Sequence, residues 1–487
     1  MVTRVLVPAI LVLGLVAAAC GSDRTPDEVA VADDPTTTTA PADAADATTT
    51  AEGEGPTDEA PETTAPAPEV PMFGDLEMPC RPGDTSGYAA TDQGVTTDTI
   101  TLGTGDDRGF ATAPNLNVEI GDAINAMVAW CNELGGINGR QIDLNYYDAA
   151  ILDVNNRMLE SCESDFMLVG QGYVLDGTGE RTRVECGLYT VPTYSVSPEF
   201  AHGPRMLQPL PNPADQHGVG NIVLAAELFP EEVSRTAVMY GNVPATADTA
   251  TKIIAAATDL GIDLGDVFEL EYNTTGEDDW TPFVLQMKER GIGHLHFVGT
   301  CVPNFIGLMN TAAINDFEPV LTLETNFYVD VCAEANTDGV LDGAIVRITM
   351  PPFEEADAFP AVQQYLDLID EYGGARSQLG MQAVSAFLLW ATGADRCGAE
   401  LTRDCVFDEV GAIDDWTGGG LHAASNPASN NNPGCEIRMV FEGTSYVRAD
   451  PPERGTFDCD GNRGQVSGPL VDNLALDENR VSTLYTG

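Results

Sequence analysis

The amino-acid sequence predicts an α/β protein with two lobes, each built on a parallel β-sheet that is covered by helices. From residue 95 onward, short β-branched runs alternate with segments that have the apolar spacing of helices. This alternation is typical of parallel sheets connected by right-handed crossovers. The pattern occurs twice in tandem, so we expect two sheets rather than one.

The first series begins at residue 99. Its predicted strands are 99–103, 142–147, 166–169 and 190–195, and its predicted helices are 120–134, 155–163 and 177–186. In the first helix, apolar residues recur with helical spacing at Ile120, Ile124, Met127 and Cys131. The helix is expected to end before Gly135, because glycine is a common C-terminal signal.

The second series has the same organisation. Its predicted helices are 214–228, 246–260, 280–290 and 304–314, and its predicted strands are 236–240, 266–272, 294–298 and 320–322. A further strand at 343–349 and helices at 358–372 and 377–391 extend the two lobes. We therefore assign residues 80–212 and about 350–410 to lobe 1, and residues 213–349 and about 430–487 to lobe 2.

The charge of the chain excludes one large class of function. The 487 residues contain 76 acidic and 22 basic side chains, for a net charge of -54. Nucleic-acid binding requires clustered Lys and Arg to neutralise phosphates, and the only lysines are Lys252 and Lys288. We expect no nucleic-acid partner.

The N-terminus has the features of an export signal. Residues 1–20 contain one basic residue, Arg4, then an apolar run and three alanines before Cys20. The segment LVAAAC at 15–20 resembles a bacterial lipobox, in which the cysteine becomes the lipidated first residue of the mature chain. We interpret residues 1–20 as a lipoprotein signal peptide and expect a lipid anchor at Cys20, on the outer face of the bacterial cell membrane. A simply secreted protein is the alternative.

The segment that follows, residues 21–79, predicts a tether. It consists mostly of Thr, Ala, Pro, Asp and Glu, with 15 acidic residues and one base. Such a composition cannot bury enough apolar area to offset the entropy lost on ordering. We expect a disordered acidic tether.

The cysteines predict disulfides. Apart from Cys20 there are ten, an even number that suits an exported protein. Ten cysteines allow about 900 pairings, and our prediction joins sequence neighbours. The predicted pairs are Cys80–Cys131, Cys162–Cys186, Cys301–Cys332, Cys397–Cys405 and Cys435–Cys459.

Ligands of open α/β sheets bind at the carboxyl ends of the strands. With two lobes, these ends are expected to face each other across a cleft. The segments concerned are 103–110, 170–176, 195–199, 240–245, 299–303 and 323–327.

Several segments, in this order, resemble one known family. They are GVT at 94–96, NELGGINGR at 132–140, YDA at 147–149, VG at 169–170 and VPTYSVS at 191–197. The chain resembles, over roughly residues 94–390, the bacterial periplasmic solute-binding proteins of the leucine/isoleucine/valine-binding type. The resemblance implies a type I periplasmic binding protein with two Rossmann-like lobes joined by a hinge and three crossings. It also implies closure on a small-molecule ligand and delivery to the permease subunits of an ABC transporter.

The resemblance also suggests ligand-binding residues. In this family, small hydroxyl residues of the first lobe often bind a carboxylate, and an acidic residue of the second lobe often binds an ammonium group. The candidates in this chain are Tyr173, Ser195, Ser197, Glu199, Thr300 and Glu324.

Each candidate also has a structural interpretation. Ser195 and Ser197 would serve equally well as helix N-caps, Glu324 as a cap or an arginine partner, and Tyr173 as part of a cleft wall. The 170–174 loop lacks the family's Ser/Thr cluster, and Glu199 follows Pro198 where the family commonly has Ala-Thr. These departures favour an amino acid or related compound other than the branched-chain amino acids.

No enzyme signature occurs in the sequence. There is no HExxH, phosphate-loop or GxSxG motif, and His294 and His296 in one strand are more typical of a surface than of a metal site. We expect no catalytic residues, no metal and no cofactor. The sequence thus predicts an extracytoplasmic solute-binding lipoprotein of an ABC importer. The alternative is a ligand-sensing surface receptor of the same fold without transport.

Overall fold

A computed structural model of the chain describes residues 71–472 and residue 474. The predicted signal peptide, the lipidation site Cys20 and residues 21–70 of the predicted tether lie outside the described residues. Within the described part of the chain, no helix is long and apolar enough to span a bilayer.

Lobe 1 is built on a four-stranded parallel sheet with the strand order β4-β3-β5-β6. A short antiparallel hairpin precedes it. The elements are β1 Met72–Phe73, β2 Leu76–Glu77, β3 Thr99–Asp106, α1 Val118–Glu133, β4 Gln141–Asp148, α2 Val154–Ser164, β5 Met167–Val169, α3 Gly177–Cys186, β6 Tyr189–Val191 and α4 Pro198–Ala201.

Lobe 2 contains a seven-stranded sheet with the order β14-β13-β12-β11-β10-β8-β9, in which β8 to β12 run parallel. The first elements of this lobe are β7 Gln216–Gly218, α5 Gly220–Leu228, α6 Pro230–Val233, β8 Thr236–Gly241, α7 Pro244–Asp259, β9 Phe268–Tyr272, α8 Thr281–Glu289, β10 His294–Val298, α9 Ile306–Ile314, β11 Val320–Leu323, α10 Asp330–Ala335 and β12 Ile345–Ile348.

The C-terminal part of the chain contributes to both lobes. Its elements are α11 Pro360–Tyr372, α12 Gln378–Cys397, α13 Arg403–Gly411, β13 Ile437–Glu442, β14 Ser445–Asp450, β15 Arg463–Gln465 and α14 Pro469–Asp472. Helices α11 and α12 pack on α1, whereas β13 and β14 extend the sheet of lobe 2 in antiparallel orientation. Among the described residues, the chain therefore passes between the lobes near 207–216, 349–359 and 412–436.

Burial explains why these segments form their elements. Sixteen of the twenty residues of α12 are buried, which places this helix at the centre of lobe 1. All five residues of β10 are buried, as expected for an inner strand of a parallel sheet that is covered on both faces. The α/β prediction of two parallel-sheet lobes is thus confirmed.

The structure differs from the predictions in two segments. Residues 71–79, assigned to the tether, form the β1–β2 hairpin, because Phe73 and Met78 are apolar and become buried. The Phe73 ring lies 6.2 Å from the ring of Trp130 in α1. Residues 214–228, assigned to one helix, begin with β7, which pairs with β15 far along the chain.

Five disulfides join cysteines of the described residues, and they connect the same pairs that sequence proximity suggests: Cys80–Cys131, Cys162–Cys186, Cys301–Cys332, Cys397–Cys405 and Cys435–Cys459.

Candidate ligand-binding cleft

A cavity of about 240 Å³ lies between the two lobes. Each of the six strand-end segments expected at the cleft contributes at least one residue to its lining. Because β3 to β6 run parallel in lobe 1 and β8 to β12 run parallel in lobe 2, the carboxyl ends of these strands and the loops that follow them converge on this one space.

The two walls of the cavity differ in chemistry. The lobe 1 wall is largely apolar, with Phe110, Leu116, Ile151, Val174, Val196 and Leu379. The wall formed by lobe 2 and the segment after β12 carries hydroxyl groups, from Thr246, Thr249, Thr274, Thr300, Thr325 and Thr349. A ligand with an apolar part and a polar part would match both walls.

A buried ion-pair network lies at the lobe 2 side of the cavity. Arg347 of β12 donates to Glu324 Oε2 from Nη2 at 2.6 Å and from Nε at 2.9 Å. Its Nη1 donates to Glu436 Oε1 at 3.0 Å. Burial alone would raise the pKa of Glu324, but the charge of Arg347 and the contact with His217 hold this pKa well below its ordinary value. Glu324 is therefore ionised at neutral pH.

His217 of β7 completes this network. Its Nε2 lies 3.3 Å from both Glu324 Oε2 and Arg347 Nη2, and its ring lines the cavity. Burial, assisted by the charge of Arg347, lowers the pKa of His217 to about 3. The imidazole is thus neutral, and the guanidinium is the cation that balances Glu324.

Residues 100–435, more than half of the chain, match the family model described as periplasmic binding protein. The chain belongs to this family. The resemblance found in the sequence is thereby confirmed. Proteins of this family act outside the cytoplasm as binding proteins for small molecules.

Solved structures share the fold of this binding protein at low sequence identity. A fatty acid ABC transporter substrate-binding protein from Thermomonospora curvata superposes with a TM-score of 0.63 at 14% identity, covering 82% of this chain and 100% of its own. A possible leucine/isoleucine/valine-binding protein from Rhodopirellula baltica gives 0.63 at 13% identity, covering 75% and 98%.

The branched-chain amino acid transporter substrate-binding protein LivJ from Streptococcus pneumoniae, in complex with isoleucine, gives a TM-score of 0.59 at 14% identity, covering 72% of this chain and 100% of its own. No curated protein matches the chain at a significant level.

Three of the six candidate ligand-binding residues line the cavity of this binding protein. The Ser195 hydroxyl is buried and contacts Gln208 and the Asn212 carbonyl. Thr300 follows β10, and its hydroxyl accepts from Asn304 Nδ2 at 3.1 Å. Glu324 follows β11 and pairs with an arginine, as its structural interpretation expected.

The other three candidates, Tyr173, Ser197 and Glu199, do not line the cavity. Tyr173 is buried beside Val154, and its hydroxyl donates to the Tyr147 carbonyl at 3.3 Å. Ser197 is the N-cap of α4 and accepts from Phe200 N at 3.2 Å, while Glu199 lies in the first turn of that helix. The N-cap interpretation accounts for the contact of Ser197, whereas Tyr173 is buried outside the cavity lining and does not form the cleft wall that its structural interpretation expected.

Neither Arg347 nor the burial of the two histidines of β10 was predicted from the sequence. Arg347 lies in the otherwise apolar strand IVRI, and a charge in such a strand requires a buried partner. The sequence therefore contained enough information to predict a buried ion pair at this strand. The interpretation of His294 and His296 as a surface pair is wrong, because both are fully buried. Their side chains point to the same side of β10, and that side is covered.

Proposed function

We propose that this chain is the lipid-anchored substrate-binding protein of an ABC importer. It holds a small polar ligand, an amino acid or a related compound, at the outer face of the bacterial cell membrane and delivers it to permease subunits. The observation that carries this proposal is the cavity between the lobes, which all six predicted strand-end segments line.

A cavity shared by two lobes couples binding to a change of shape. A ligand that contacts both the lobe 1 wall and the threonines of lobe 2 gains its full set of contacts only when the lobes are closed. It therefore shifts the equilibrium from the open to the closed form by its difference in affinity for the two forms. The permease recognises the closed form, and the ligand is released unchanged, without catalysis.

The wall chemistry supports an amphipathic ligand. The side chain of an amino acid would pack on Val174, Val196 and Leu379, and its polar groups would face the threonines of lobe 2. The Streptococcus pneumoniae structure holds isoleucine, and the Thermomonospora curvata protein is named for fatty acids. Both compounds combine an apolar chain with a polar head, which is the arrangement that these walls would accept.

A thermal-shift screen of the full chain tests the proposal. The panel contains amino acids, amides, polyamines, sugars and short carboxylates. A ligand at a hundred times its dissociation constant adds about 2.7 kcal/mol of stability, which raises the melting temperature measurably. We expect a hit among the amino acids or related compounds.

Matched variants locate the binding. Ala245 lines the cavity, whereas Ala424 is exposed outside it. Ala245→Phe should remove the thermal shift by filling the cavity, and Ala424→Phe should preserve it. A thermal shift that persists in Ala245→Phe would mean that the ligand binds outside the cavity. The absence of a thermal shift with every compound of the panel would contradict the proposed ligand class.

A further inference from the structure

Two hydroxyl groups on the lobe 2 wall of the cavity have no hydrogen-bond acceptor. They belong to Tyr272, the last residue of β9, and to Thr274, two residues later, and both residues line the cavity. Both oxygens are buried, and neither makes a hydrogen bond of normal geometry to a described residue. Buried polar side-chain atoms are almost always paired in folded proteins, so this pair requires an explanation.

Each hydroxyl fills the space that a side chain would take at a neighbouring strand end. A Cβ atom on Gly299, directly after β10, would overlap with the Tyr272 hydroxyl oxygen, and a Cβ atom on Gly241, at the end of β8, would overlap with Thr274 Oγ1. Strands β8 and β10 are hydrogen-bonded neighbours. Glycine at both strand ends thus leaves room for two hydroxyl groups on one wall of the cavity.

The Tyr272 hydroxyl is a fixed donor. Its ring stacks on Phe297 with a centroid distance of 5.1 Å and packs against Trp280 at 5.5 Å. Burial raises the pKa of Tyr272 above its ordinary value, although the nearby backbone amide of Thr300 opposes this shift. The hydroxyl is therefore protonated at neutral pH. Because an amide N–H can only donate, the Tyr272 hydrogen stays without an acceptor in the described part of the chain.

Thr274 is held by its backbone. Its N–H donates to Asn242 Oδ1 at 3.0 Å, and its carbonyl accepts from Asn304 Nδ2 at 3.3 Å. Neither contact uses the side chain. The Thr274 hydroxyl is thus kept at the cavity wall while both its hydrogen and its lone pairs remain available to a ligand.

The charges of the cavity define the group that fits this hydroxyl pair. The lining side chains that are charged at neutral pH are Glu324 and Arg347, which bind each other. A ligand carboxylate at the hydroxyl pair would lose its hydration without meeting a free cation. An ammonium group would place its hydrogens against the hydrogen of Tyr272, and an apolar group would leave both hydroxyls unpaired. An uncharged oxygen that accepts hydrogen bonds satisfies them.

We propose that the hydroxyls of Tyr272 and Thr274 form a subsite for an uncharged oxygen of the ligand, carried by a carboxamide or hydroxyl group of its side chain. This inference rests on the proposed function and narrows its ligand class to amino acids with an uncharged polar side chain. The aliphatic part of that side chain packs on the lobe 1 wall, and its oxygen accepts from the hydroxyl pair. Tyr272 and Thr274 are specificity-determining residues, because an apolar side chain of the same shape forfeits these hydrogen bonds.

Calorimetric titration with matched pairs of free amino acids tests the subsite. The pairs are asparagine with leucine, glutamine with methionine, and threonine with valine. The members of a pair share their α-ammonium and α-carboxylate groups and have side chains of similar size, so only the uncharged polar group differs. We expect the polar member of at least one pair to bind about tenfold or more tightly than its apolar counterpart, because an unmade hydrogen bond weakens binding by that order.

Two shape-conserving variants locate the recognition. Thr274→Val and Tyr272→Phe each remove one hydroxyl and should lower the affinity for the preferred polar amino acid about tenfold, with little change for its apolar counterpart. Thr251→Val, on the exposed side of α7 and outside the cavity lining, should leave both affinities unchanged. Thr274→Val should also keep the urea midpoint of the wild-type protein, because the hydroxyl has no partner in the described residues to lose.

The outcomes separate this inference from the proposed function. Equal affinities within every pair, or tighter binding of the apolar members, would overturn the subsite and leave a binding protein for amino acids. A preference that persists in both folded variants would also overturn it, since the polar group would then be bound elsewhere. A lower urea midpoint for Thr274→Val would mean that its hydroxyl has a structural role and would remove it from the subsite. Failure of all six amino acids to bind would contradict the proposed ligand class and, with it, the subsite.

Discussion

Arg347 donates two hydrogen bonds to a single oxygen of Glu324, at 2.6 and 2.9 Å, and both residues are buried. Glu324 directly follows β11, and Arg347 lies in the neighbouring strand β12. The guanidinium also reaches Glu436, directly before β13. One cation is thus shared by two carboxylates at adjoining strand ends, and Glu324 Oε1 has no hydrogen-bond partner among the described residues.

Removal of this cation should be strongly destabilising. Arg347→Met leaves two buried carboxylates without the arginine that donates to both of them, and breaking a buried pair in this way costs about 3–5 kcal/mol. The free energy of unfolding in urea measures the loss. The triple variant with Glu324→Gln and Glu436→Gln removes the stranded charges and should recover much of the stability. A single variant as stable as the wild-type protein would show that the ion pairs contribute little.

The fold was predictable from the sequence because its signals are local. Each strand and helix of a parallel α/β sheet carries its own periodicity, and the strand ends identify the cleft without knowledge of the packing. The six strand-end segments therefore include cavity-lining residues such as Phe110, Val174 and Thr300.

The details of the site were less predictable because they depend on distant partners. Glu324 is paired with a residue 23 positions away, and the histidines of β10 are bridged by Thr322 of another strand. Within one loop, Val174 lines the cavity and its neighbour Tyr173 does not. Which of two neighbouring residues faces the cavity depends on the backbone conformation of the turn. A pattern of apolar residues does not reveal that conformation.

The lipid anchor can be tested independently of the fold. Cys20→Ser removes the thiol that a lipobox requires for lipidation, and the protein should move from the membrane fraction to the soluble fraction. Ser22→Ala, two residues later, retains the cysteine and should remain with membranes. Immunoblots of fractionated cells measure both. Continued sedimentation of Cys20→Ser with membranes would contradict the lipoprotein prediction.

The hairpin before lobe 1 should contribute to the stability of the folded body. Phe73 is fully buried against Trp130, whereas the neighbouring Met72 is 42% exposed. Phe73→Ala should cost about 3–5 kcal/mol through lost burial and the cavity it leaves. Met72→Ala should change stability by less than about 0.5 kcal/mol. Equal urea midpoints for the two variants would mean that the hairpin does not stabilise the folded body, which is the behaviour expected of residues 71–79 as part of a tether.

A buried histidine away from the cleft should make stability depend on pH. His422 Nε2 lies 2.9 Å from the Ser385 hydroxyl, and Nδ1 lies 2.9 Å from the Ala423 carbonyl. Burial lowers the pKa of His422 from 6.5 to about 4, although the backbone contact opposes this shift. The unfolded chain therefore binds a proton at this residue between about pH 6.5 and 4 that the folded protein does not bind.

The sign of the effect follows from proton linkage. The stabilisation due to neutral His422 is complete above pH 6.5 and decreases by about 1.4 kcal/mol per pH unit as the pH falls towards 4. The buried acids Asp107 and Glu119 have raised pKa values and act in the opposite direction. They are present in both the wild-type protein and His422→Asn, so the difference between the two proteins isolates the histidine. Urea unfolding from pH 7 to 4 should therefore show a stability that decreases more steeply in the wild-type protein than in His422→Asn. Parallel pH profiles would mean that His422 titrates alike in the folded and unfolded states.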